Sequence, residues 1–161
     1  MSELDHDRPK EEEMISTHDL RYFPHFAGAP ESVLGEIAII STLKRFKAGE
    51  RLVEEGDRAT HLMFIKSGRI ELVYLLGDGR QVTVDALNSG DILCWSALLS
   101  PHRLTASAVA AEDGEVVAID GQRLRELCDR EAPLGYQIME EVAKALRDRL
   151  SGLRVQIAAQ K

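Results

Sequence analysis

The chain is short of the residues that would commit it to several common functions. Two cysteines, Cys94 and Cys128, have no metal-site spacing and are too few for a disulfide framework, so both are expected to be reduced. No apolar run approaches the roughly 18 residues of a membrane span, and the opening MSELDHDRPKEEE lacks the apolar centre of a secretion signal. A cytoplasmic protein with no membrane partner is the expectation. Positive charge is also scarce. The 20 Lys and Arg face 27 Asp and Glu, and the net charge of −7 argues against sequence-independent binding to nucleic acid or anionic lipid. The five histidines form no His-x-His pair and have no carboxylate at ligand spacing. There is no nucleophile elbow, Walker loop or Gly-x-Gly-x-x-Gly, and Ser96 has no His or Asp at a readable spacing. No catalytic residue, metal site or resident cofactor is therefore assigned, and the chain is not expected to be an enzyme.

What is present suits one folded domain: 161 residues, 44% hydrophobic and 29% charged. Residues 1–16 are acidic and aperiodic and are expected to form a mobile tail ahead of a single domain over 17–161. Within it, Leu20, Phe23, Phe26, Val33, Leu34, Ile37 and Ile40 recur at helical intervals, broken by Pro24 and Gly28-Ala29-Pro30, which predicts N-terminal helices over 17–41. From 42 to 119 the pattern changes to short strand-like runs, LKRFK, RLVEE, HLMFIKS, RIELVYLL, RQVTVDAL, DIL, RLTASAVA and EVVAID, separated by glycine turns. Such spacing predicts a mainly β sandwich or barrel.

Helical spacing returns over 120–161. Asp120 is a natural N-cap and Pro133 suits the first turn of a longer helix. Along that helix Met139, Ala143, Leu146, Leu150, Leu153 and Ile157 follow at intervals of four, three, four, three and four, a heptad seam that predicts a homodimer. The charged Arg147, Asp148 and Arg149 read as a solvated face of the same helix.

The stretch Gly90 to Ala111, GDILCWSALLSPHRLTASAVAA, reads as strand, short apolar helical turn, polar loop and strand. Free backbone N–H groups at the start of the turn, with the Thr105 and Ser107 hydroxyls beside them, could hold an anion. An ordinary buried strand pair explains the same residues.

The run from Phe46 through Lys47-Ala48-Gly49-Glu50-Arg51-Leu52-Val53-Glu54-Glu55-Gly56 to Asp57, followed by Met63-Phe64-Ile65 and Ser67-Gly68-Arg69-Ile70, resembles cyclic-nucleotide-binding domains. These include the sensor domains of the catabolite activator and fumarate-nitrate regulator family, and the likeness covers roughly residues 17 to 159. The resemblance implies an eight-stranded jelly-roll barrel, a double-stranded β-helix with flanking helices, and dimerisation through the long last helix. It also implies that Gly90 to Ala111 is a phosphate-binding cassette. That cassette has Gly-Glu, an apolar turn, then Arg-Ser/Thr-Ala; the Glu takes a sugar hydroxyl and the Arg pairs with a cyclic phosphate.

Here the cassette Gly matches Cys94, the Glu matches Trp95 and the Arg matches Leu104, while Thr105 and Ala106 fit the positions that follow. Small stand-alone domains with a Gly/Cys-Trp-Ser-x-Leu cassette resemble the chain more closely than the cyclic-AMP-responsive regulators do. Two readings stay open. In one, Cys94, Trp95, Ser96, Ala97, Arg103, Thr105 and Ala106, with His102 nearby, hold a cyclic nucleotide or another small anion, and Trp95 stacks on it or caps the pocket. In the other, Trp95 fills the roll, which binds nothing and serves as a dimeric scaffold for an unidentified partner protein. Regulators of the family carry a helix-turn-helix of roughly sixty residues beyond the long helix. The sequence ends at Lys161, so direct DNA binding is not expected.

Overall fold

The structure, a computed structural model, describes residues 13–159. Most of the predicted acidic tail lies outside the described residues, but its last four positions belong to the fold. Glu13–Met14 forms β1 against the next strand, Ile15 is buried, and Ser16 caps α1 (Thr17–Arg21) through a reciprocal capping box with Asp19. The tail boundary therefore moves ahead of Glu13. A two-residue strand and a cap are too short to leave a period in the sequence.

A 3-10 turn at Pro24–Phe26 and helix α2 (Glu31–Ile39) complete the N-terminal layer, with Leu20, Phe23, Phe26, Leu34 and Ile37 fully buried. Eight further strands follow: β2 (Ser41–Phe46), β3 (Arg51–Val53), β4 (His61–Ser67), β5 (Ile70–Leu75), β6 (Gln81–Leu87), β7 (Ile92–Leu93), β8 (Ser107–Ala110) and β9 (Gly114–Asp120). They pair antiparallel in two sheets, β1-β2-β9-β4-β7 and β3-β8-β5-β6. The expected jelly roll is present as two facing sheets, with no strand paired from one sheet to the other among the described residues. Three of the four edge strands have only two or three residues, too little backbone to pair across the gap.

Alternation along the central strands divides the core in two. Leu62 and Phe64 of β4 and Val117 and Ile119 of β9 face the helices, while Met63, Ile65, Val116 and Ala118 face the second sheet. This is why HLMFIKS and EVVAID are apolar at nearly every position. The strands cross tightly where a Cβ on Gly114 would stand 2.1 Å from the Ser67 carbonyl oxygen, closer than any side chain can come. The inter-sheet cluster is completed from the second sheet by Ile70, Leu72, Val84, Ala108 and Ala110.

Asp120 caps α3 (Gly121–Arg130) by accepting the Arg123 N–H at 2.9 Å, as its position predicts. One residue later α4 (Ala132–Ala159) begins, with Pro133 in its first turn. At 1.5 Å per residue its 28 residues run about 40 Å. Leu134, Ile138 and Val142 anchor its first half in the helix-side cluster.

Candidate functional site

The cassette begins at Cys94, whose backbone is left-handed at φ 64°. A side chain in that conformation costs about 1 kcal/mol more than glycine would. The thiol is buried, and burial pushes its pKa up to about 12, so it is a neutral packing group rather than a nucleophile. From Trp95 to Leu98 the chain makes one 3-10 turn, too short to focus a helix dipole on an anion. Ser96 and Ala97 are buried within it.

That turn faces two ways. Ala97 joins the inter-sheet cluster, whereas Trp95, Leu98 and Leu99 pack against the helix-side cluster. The indole therefore packs on the helical side of the sheet, not within the inter-sheet cluster that the reading of Trp95 as a filler of the roll implies. The turn is also bonded to α3. Arg125 donates through Nη1 to the Ala97 carbonyl, and a Cβ on Gly121 would lie 3.0 Å from the Ala97 Cβ.

The following loop is laced to the Gly56-Asp57 turn. Ala59 N–H donates to the His102 carbonyl, Leu104 N–H to the Asp57 carbonyl and Gly56 N–H to the Leu104 carbonyl, each at 2.8 Å. Gly56 supplies the φ of +88° that this turn needs. His102, itself left-handed at φ 59°, donates from Nδ1 to the Ser96 carbonyl at 3.1 Å, since a carbonyl can only accept.

These bonds set which side chains face inward. Leu104 and Ala106 are buried in the inter-sheet cluster, while Arg103 and Thr105 are exposed. Arg103 lies at the surface, where its Nη1 donates to the Gly56 carbonyl at 3.3 Å. Turning Arg103 inward would break the three backbone bonds, each worth about 1 kcal/mol net. Of the seven predicted site residues, Cys94, Ala97 and Ala106 line the inter-sheet core and Ser96 is buried beside them. Trp95, Arg103 and Thr105 lie elsewhere.

A largely buried cation comes from a residue that the sequence assigned to a solvated face. Arg147 and Asp148 are exposed and pair with each other, but the Arg149 side chain is only 11% exposed. Its Nη1 donates to the Tyr74 hydroxyl at 3.4 Å, and its Nε, wholly buried, stands 3.9 Å from Asp85 Oδ2 with no hydrogen-bond partner among the described residues. Tyr74 of β5, its cross-strand neighbour Val82 of β6, and Leu153, one helical turn beyond Arg149, form the partly buried rim of the inter-sheet cluster. Charge patterning reads Arg147 and Arg149 alike, but the helical repeat separates them: Arg149 lies seven residues beyond the buried Val142, on the same face, and Arg147 points away from it.

Along α4 the seam residues Met139, Leu146, Leu150 and Ile157 are exposed by 37% to 67%, and Ala143 is exposed with them. Leu153 departs from the seam by reaching the inter-sheet rim. A second tie to α4 comes from His25, whose Nε2 is 2.9 Å from the Gly90 carbonyl and whose Nδ1 is 3.1 Å from Glu141.

No helix among the described residues is long and apolar enough to cross a membrane. In comparison with solved structures, the chain is 36% identical to a protein of Geobacter metallireducens GS-15 regarded as a candidate cyclic nucleotide-binding protein. The TM-score is 0.74, covering 85% of this chain and 99% of the other. The Thermus thermophilus catabolite activator protein shares the fold at a TM-score of 0.67 and 23% identity, over 84% of this chain and 63% of that one. Among curated relatives, the anaerobic regulatory protein of Bacillus subtilis is 31% identical over 71% of this chain and 49% of its own length. The cAMP-activated global transcriptional regulator Vfr of Pseudomonas aeruginosa is 29% identical over 65% of this chain and 50% of its own. The chain thus spans about half of each regulator. The family model for the cyclic nucleotide-binding domain matches residues 43–131, from β2 through α3, and with the two facing sheets the chain belongs to that family.

Proposed function

We propose that this domain is a cytoplasmic sensory and regulatory module, not an enzyme. It takes a small anionic ligand, with cyclic nucleotides as the first class to test, at the cassette end of the inter-sheet space. It signals to a partner protein by self-association of α4. One observation carries the reading: the cassette turn is bonded directly to the helix that leads into α4. Arg125 of α3 holds the Ala97 carbonyl, Gly121 packs on Ala97, and Trp95 sits among the helices. A ligand that moves the turn must therefore move α3, and α3 is separated from α4 by one residue.

A second reading has its own support. Leu104 fills the interior position where the resembling cassettes carry arginine, as it would in a ligand-free dimeric scaffold.

Titration with cyclic AMP, cyclic GMP, cyclic dinucleotides and linear nucleotides separates the two. Trp95, the sole tryptophan, lies at the junction that would move. Saturable heat by calorimetry at micromolar affinity, with a change in indole emission, is the expected result. Silence across the panel at millimolar ligand would leave the scaffold.

A further inference from the structure

We propose that the anion-binding cation of this domain is supplied by the long helix, as Arg149, with the Tyr74 hydroxyl as its companion donor. The inference rests on the ligand-binding reading above and names the group that would recognise the ligand's charge.

The cassette itself offers no inward cation. Its register is laced to the Gly56-Asp57 turn with Leu104 inside, and Arg103 is spent on the surface carbonyl of Gly56. Arg149 is in the opposite situation. Its aliphatic stem and Nε are buried, and its guanidinium meets the hydroxyl of Tyr74 at the rim of the inter-sheet space. Its contacts are weak: a hydroxyl at 3.4 Å and a carboxylate at 3.9 Å, the latter beyond hydrogen-bond range.

A buried guanidinium held this loosely retains most of its donor capacity, and its planar fork suits a phosphate or carboxylate edge. The Tyr74 oxygen accepts from Arg149, which leaves its own proton to donate to the same anion. Asp85 is the competitor. Its carboxylate is anchored by the Ala86 N–H at 2.8 Å and partly neutralises Arg149 until a ligand replaces it. Because Arg149 lies on α4, between the exposed seam residues Leu146 and Leu150, a ligand bound there acts on the seam directly.

The test compares binding of cyclic AMP, cyclic GMP, inorganic phosphate and neutral adenosine to the whole chain by calorimetry. The variants are Arg149→Gln, Arg149→Lys, Tyr74→Phe and Arg103→Ala. Arg149→Gln is expected to weaken the charged ligands by about ten- to a hundredfold and to leave adenosine within about twofold, with Arg149→Lys recovering part of the loss. Tyr74→Phe removes one oxygen from a rim residue and gives a separate reading should Arg149→Gln fold poorly. It is expected to weaken cyclic AMP by about three- to tenfold. If the native chain binds but Arg149→Gln and Tyr74→Phe bind equally well, or if Arg103→Ala carries the loss, this inference is overturned and the ligand reading stands. If the native chain binds none of the probes, both fall together.

Discussion

Cys94 shows how one residue can serve conformation at a cost and packing at a gain. It occupies a left-handed position that glycine would take without strain, yet its thiol contributes to the inter-sheet core. The burial has a consequence for pH. An acid whose folded pKa is raised holds its proton longer in the native state, so the native state binds more protons once the unfolded thiol begins to ionise near 9. The associated stability is intact below pH 9 and is lost progressively as pH climbs towards about 12. Thermal melts between pH 8 and 11 should fall less steeply in Cys94→Ala than in the native chain. Equal slopes would mean that Cys94 does not carry the effect. Cys128, raised to about 11 by burial and the nearby Asp129, acts in the same direction and remains in both proteins.

At the scale of elements, the cassette turn and α3 behave as one unit. Trp95 adds aromatic surface to the helix-side cluster, and Arg125 closes the unit with a charge-assisted bond to a backbone carbonyl. Arg125→Ala should cost about 1 to 3 kcal/mol in chemical denaturation, and the emission of Trp95 should shift to longer wavelength in the folded protein as the turn loosens. A stability loss with unchanged emission would place the effect of Arg125 elsewhere on α3. The loop before β8 makes a related point about register. Alternation in RLTASAVA sets Leu104, Ala106 and Ala108 on one face and Arg103 and Thr105 on the other, and the bonds to Gly56, Asp57 and Ala59 hold that register, with Leu104 in and Arg103 out.

For the whole molecule, the exposed stripe on α4 is the feature a single chain leaves unsatisfied. Leu150 and Ile157 expose 61% and 67% of their surface, while Val142, earlier on the helix, is buried. The proposed self-association predicts that Leu146→Glu with Leu150→Glu converts a dimer into a monomer by light scattering, with the sheets and Trp95 emission retained. A native chain that is already monomeric would remove that part of the proposal.

Much of this architecture follows from local pattern. Glycine turns and alternating apolar runs mark β2 to β9 to within a few residues. Asp120 announces α3, and the spacing from Met139 to Ile157 marks one face of α4. The likeness carried by Phe46 to Ile70 already pointed to the family, because turns and their acids are local and leave their order in the chain. Other features depended on residues distant in sequence. The open sheet edges, the strand at Glu13–Met14 and the helical location of Trp95 follow from pairing and packing across the fold. Arg149 is the clearest case. Seven residues beyond Val142, it shares that residue's helical face, but its burial comes from β5 and β6, which bring Tyr74 and Asp85 against it. Sequence period assigns a residue to a face of its own element, whereas burial, charge pairing and access are properties of what the rest of the chain places against that face.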